Sequence, residues 1–115
     1  MNRIQRKTDD LSLTWTIPAG QQLSNSIPLG ASGFVGGLFG LPASFTGSSV
    51  SFEWSKDNVT FFPLHQEYSD TLKSLTVTAA KGYPLPDEVF GALYLKIKSS
   101  SSEASDRSIV VCPIS

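Results

Sequence analysis

Hydrophobic and polar side chains alternate with a period of two in several short runs along this chain. Leu11, Leu13, Trp15 and Ile17 alternate with Ser12, Thr14 and Thr16, a spacing that turns one face of a β-strand to a core and the other to water. Pro18-Ala19-Gly20 ends that run. Leu23, Ile27 and Leu29 mark a weaker second strand, and Pro28 places it at a sheet edge, because proline has no N–H for a ladder. Phe34 to Leu41 is apolar but interrupted by Gly36, Gly37 and Gly40, which predicts bulges or close backbone packing. The cleanest alternation is Val50, Phe52 and Trp54 against Ser51, Glu53 and Ser55. The turn residues Lys56-Asp57-Asn58 and a return from Thr60 to Leu64 complete a hairpin signal. Leu64, Tyr68, Leu72 and Leu75 fall at spacings of four, four and three, which suits a single helical turn. Leu75, Val77 and Thr78 read as strand again, and Tyr83-Pro84-Leu85-Pro86 is held extended by its prolines. Leu93, Leu95 and Ile97 alternate with Tyr94, Lys96 and Lys98, Ser99 to Ser105 reads as an exposed polar loop, and Ile109 and Val111 supply the last strand.

About eight short strands at regular spacing predict an all-β chain, an antiparallel β-sandwich or barrel-like jelly roll. Residues 1–10 are polar and mixed in charge, with only Ile4 to bury, so they are expected to form a flexible N-terminal arm ahead of a sandwich domain over 11–115. A chain of 115 residues suits one domain. Nine glycines, seven prolines and eighteen serines would suggest low complexity in a polar chain, but 40% of the residues are hydrophobic, so they read as turns between apolar strands. Trp15 and Trp54 keep the phase of their apolar neighbours and are expected in the core. Cys112, the one cysteine, is expected as a small buried hydrophobe.

Charge and chemistry narrow the function classes. Nine basic against ten acidic side chains give a formal charge of −1 with no sustained basic stripe, so nucleic acid is not an expected partner. Arg3, Arg6 and Lys7 are followed by no apolar run, so neither a signal peptide nor an anchor is expected, nor any membrane contact. His65 is the single histidine, with Asp70 nearby in sequence, and no glycine pattern of a nucleophile elbow surrounds any serine. Asp9 with Asp10 and Asp87 with Glu88 read as solvated arm and loop residues, and no calcium-type loop is present. Asn58-Val59-Thr60 matches the glycosylation sequon by chance. The expectation is therefore a non-enzymatic chain with no cofactor and no metal. Tyr94, opposite in phase to Leu93 and Leu95, is expected to make an exposed contact. Tyr68, Tyr83 and Tyr94 together are the alternative, a stacking surface for glycans.

Several segments resemble small structural proteins of tailed bacteriophages. Thr16-Ile17-Pro18-Ala19-Gly20 with Leu23-Ser24 looks like the opening strand and turn of that group, and Leu41-Pro42-Ala43-Ser44-Phe45 like its central step. Val50 to Phe61 is similar to its hairpin, with Asn58 standing where the group usually has glycine. Leu85-Pro86 through Phe90, Tyr94 to Ser99 and Asp106-Arg107 resemble its closing strands. The resemblance implies a virion structural protein of jelly-roll type, most directly a capsid decoration or cement protein. Such a protein would be made in the host cytoplasm and carried on the outer surface of the capsid. Its implied partners are the major capsid protein and itself, as a homotrimer. The shell contact would fall to Asn2, Arg3, Gln5, Arg6 and Lys7 of the arm and to Tyr94. A carbohydrate-binding module on a head or tail fibre and a head-tail connector or tail adaptor are the alternatives.

Overall fold

A computed structural model describes residues 13–29, 34, 36–66 and 69–114. They form nine strands and one 3-10 helix: β1 (Leu13–Ile17), β2 (Ile27–Pro28), β3 (Gly36–Gly40), β4 (Ser49–Ser55), β5 (Phe62–Pro63), β6 (Ser74–Thr76), β7 (Gly82–Pro84), the helix Asp87–Gly91, β8 (Tyr94–Ser99) and β9 (Arg107–Ile114). The arm residues Asn2, Arg3, Gln5, Arg6 and Lys7, and also Tyr68, lie outside the described residues.

Two sheets result, one with strand order β1-β9-β3-β7 and the other β2-β8-β4-β5, with β6 also on β4. Every pairing is antiparallel. From β1 to β4 each strand crosses to the opposite sheet, β4 and β5 share one, and β7, β8 and β9 alternate again. This interleaving of two Greek keys is the connectivity of a jelly roll. Proline does place β2 at an edge.

Alternation decides the layers. Trp15, Ile17, Phe39, Ile109 and Val111 face inward from the first sheet, and Ile27, Val50, Phe52, Leu95 and Ile97 from the second, all buried. Trp15, Phe39 and Phe52 meet at the centre with ring centroids 6.1 to 6.3 Å apart, within the range of favourable edge-to-face and tilted pairs. The Trp15 indole N–H donates across the core to the Leu95 carbonyl at 3.0 Å, so its polar atom is buried with a partner.

Several expectations are corrected. Gly36 to Gly40 forms a strand in continuous register between β9 and β7, without a bulge; close backbone packing holds at Gly37, where a Cβ would come within 3.1 Å of the Cys112 carbonyl and the Pro113 Cα, whereas Gly36 and Gly40 leave open space. The expected helical turn is a hairpin, since the Lys73 amide donates to the Leu64 carbonyl at 2.9 Å and His65 pairs with Leu72. Leu64 and Leu72 thus belong to the two facing arms of one ladder. Asp87 and Glu88 sit in the first turn of the 3-10 helix, not in a loop. Leu93 precedes β8 and is exposed. Cys112 is exposed: with Ile109 and Val111 facing in, its position on β9 faces out. The segment Ser99 to Ser105 is not wholly solvated, because Glu103 is 0% exposed.

Candidate surfaces and the locked end of the sandwich

Glu103 organises one end of the sandwich. Its carboxylate accepts from the Thr46 and Gly47 amides at 3.0 and 3.2 Å, from Ser99 Oγ at 3.0 Å and from Arg107 Nε at 2.8 Å. Its backbone joins the β1–β2 loop through Gly20 and Gln21. One residue, through its side chain and its backbone, thus ties the β1–β2, β3–β4 and β8–β9 connections to the start of β9. Gly47 allows the approach, since a Cβ there would run into Ser99 Oγ and the Phe45 ring. Burial pushes the Glu103 carboxyl up, but the Thr46 amide, the Arg107 guanidinium and the Ser99 hydroxyl outweigh it and hold the group below its ordinary value. Buried ions are tolerated only when paired and hydrogen-bonded in this way.

The β4–β5 turn is held by Asp57, whose Oδ1 accepts from the Val59 and Thr60 amides at 2.9 and 3.0 Å and from Ser55 Oγ at 2.9 Å. These bonds, those from Thr60 and Val59 foremost, lower its pKa. Asn58 has φ 61°, the left-handed conformation that asparagine tolerates and glycine would adopt freely.

The two outer faces of the sandwich differ sharply in chemistry. On the β2-β8-β4-β5 sheet, Tyr94, Lys96 and Lys98 alternate with the buried Leu95 and Ile97, and Glu53 lies opposite Lys96. The Lys96 ammonium stands 4.2 Å from the centre of the Phe61 ring, a cation–π contact. On the β1-β9-β3-β7 sheet no outward position among the described residues carries a charge. Thr14, Val110, Gly40 and Gly82 form one row across the four strands, and Cys112, Leu38 and Pro84 the next. Leu38 is 52% exposed and Val110 50%. The one charged residue in these strands, Arg107, is buried against Glu103.

An apolar cleft of about 300 Å³ opens at another edge, between Trp54 and Leu64 on one side and Val89 and Ala92 on the other, with Glu88 among its lining residues. Trp54 is half-buried, not fully in the core as expected, and stacks at 5.1 Å on Phe62. Glu88 is paired with Lys73 at 3.6 Å.

Of the tyrosines of the glycan surface, the two among the described residues, Tyr83 and Tyr94, lie in different sheets. Tyr83 sits on β7 with its ring 5.9 Å from Phe39 and its hydroxyl accepting from the Thr78 amide at 2.7 Å, whereas Tyr94 belongs to the other sheet. His65 is exposed, its Nδ1 3.1 Å from the Pro63 carbonyl. Neither the locked end nor the uncharged face was legible as a site. The first is hidden in a serine-rich segment, and the second is spread over four strands from Thr14 to Cys112. Comparison with protein-family models, curated proteins and solved structures finds no match for this chain.

Proposed function

We propose that this chain is a non-catalytic structural protein of a tailed-bacteriophage particle, a decoration protein seated on the outside of the capsid and bound to the major capsid protein. The observation that carries the reading is the division of the jelly roll into two unlike outer faces, one without charge and one with Tyr94, Lys96, Lys98 and Glu53. An uncharged face suits packing against protein, because charged residues are depleted at the centres of protein interfaces. A face with separated charges and an aromatic ring suits a second, polar contact. The segments that resemble phage structural proteins support the same reading: Pro42 to Phe45 closes a turn with the Phe45 amide on the Pro42 carbonyl at 3.1 Å, and Asp57-Asn58 makes the hairpin turn.

In this reading the shell is held by residues 1–10 together with Tyr94. Extended arms bind through backbone and side-chain contacts over a wide surface, and many weak contacts on a symmetric lattice add through avidity. The test is to mix the purified chain with shells of its phage stripped of the protein and to count bound copies by cosedimentation. The full chain saturates the shell, and a chain lacking residues 1–10 keeps its circular dichroism spectrum but binds at least tenfold more weakly. A full chain that does not sediment with shells at any concentration overturns the proposal.

A further inference from the structure

We infer that the uncharged face of the β1-β9-β3-β7 sheet is the seat of a second copy of this chain, and that copies associate there in pairs. The inference rests on the reading of this face as a docking surface, and it names the partner.

Relief and charge point the same way. Leu38 stands out from β3 with Cys112 and Pro84 beside it. Two residues along β3, roughly 7 Å at strand rise, Gly40 lies directly beside Gly82. A Cβ placed on Gly40 or on Gly36 would meet nothing within 4 Å. The face therefore carries an exposed knob next to a hollow two strands wide. A knob and a hollow on one surface are satisfied together by a second copy turned about a two-fold axis, so that each Leu38 enters the other's Gly40–Gly82 hollow. That is an isologous contact, in which the same patch serves both partners.

Electrostatics favour the same occupant. A partner with charges would leave them desolvated against this face with no counter-charge, which is costly. A second copy brings an equally uncharged face. Contact of one sheet face with its own copy closes at two, so the geometry points to pairs and not to the trimers implied by the phage resemblance.

Area sets the strength. Four strands about 4.8 Å apart and about five residues of strand rise make a face of roughly 15 by 15 Å, well short of the roughly 800 Å² per partner in a standard interface. Pairing is thus weak in dilute solution and is promoted where copies are crowded on a lattice.

Sedimentation equilibrium of the full chain from about micromolar to about millimolar tests this. The weight-average mass is expected to rise from 12.4 kDa toward twice that value and to stop there. Gly40→Val puts a β-branched side chain into the hollow at a position where the added Cβ meets no atom within 4 Å, and is expected to keep or raise the melting temperature while the mass stays monomeric at all concentrations. Leu38→Thr, which removes the knob and suits a strand, should give the same loss. A wild-type mass that stays monomeric or climbs to three chains overturns the inference, as does a Gly40→Val variant that pairs like the wild type. Shell binding is scored apart: a chain that pairs but never sediments with shells sinks the virion reading alone, and one that binds shells while staying monomeric sinks the pairing alone.

Discussion

Glu103 joins two amides, a serine hydroxyl and a guanidinium out of reach of water, so its loss strands more than one group. Glu103→Gln leaves Arg107 buried without its anion, a change that costs about 3–5 kcal/mol in comparable buried pairs, and thermal unfolding should fall by well over ten degrees. The sign of the pH effect follows from the same contacts. The folded carboxyl has a pKa below its value of 4.5 in the open chain, so the unfolded state takes up the proton first as pH falls. The stabilisation is therefore complete above that value and is lost as pH drops through the folded pKa. Asp57 titrates with the same sign. Chemical denaturation between about pH 2 and 6 should show a steep acid limb for the wild type and a flatter one for Glu103→Gln; equal slopes would count against the lock. Asn58 and Ala80 both lie at positive φ, 61° and 65°. Asn58→Val should cost about 1–2 kcal/mol, and Ala80→Gly should not destabilise the fold, since only bulk at Cβ is penalised there. Urea midpoints check both. Glu103 was hidden in the sequence because Ser-Glu-Ala-Ser-Asp-Arg reads as solvent-facing; only the convergence of Thr46, Gly47, Ser99 and Arg107 makes it a buried anchor.

Strands β4, β8 and β9 each have neighbours on both sides, whereas β2, β5 and β7 are edge strands of two or three residues. Opening a central strand exposes the aromatic core, while opening an edge frees few bonds, so local stability should follow position in the sheet. Amide exchange is expected to be slowest in β4, β8 and β9 and at least tenfold faster in β2, β5 and β7; equal protection of the edges would refute this ordering. The long alternations that produced β1, β4 and β8 could be read directly, because a half-buried strand writes its burial into every second residue. The hairpin at Leu64 to Lys73 could not. Its pairing depends on tertiary contact with Phe52, whose carbonyl receives the Leu64 amide at 2.9 Å, and short apolar spacings serve a helix or two facing strands equally well.

At the scale of the whole molecule, the sandwich keeps its aromatic centre dry and offers two unlike faces, so a change on one face should leave the other's contact intact. Tyr94→Asp adds a charge to the proposed shell contact and should lower shell occupancy about tenfold, equivalent to about 1.4 kcal/mol, while pairing through the Leu38 face is unaffected. Cosedimentation with shells and sedimentation of the free chain measure the two separately. Coupled losses would mean that both contacts share one surface.

By itself the amino-acid sequence determined the all-β class, the two-sheet architecture, the edge role of Pro28 and the tight turn at Asn58, because period-two burial, prolines and left-handed asparagines act on neighbours along the chain. Tertiary structure alone decided that Glu103 is buried, that Cys112 points outward and that Thr14, Leu38, Pro84 and Val110 share one uncharged surface. These depend on which strands lie side by side, and in a jelly roll the neighbours in a sheet are far apart in the chain.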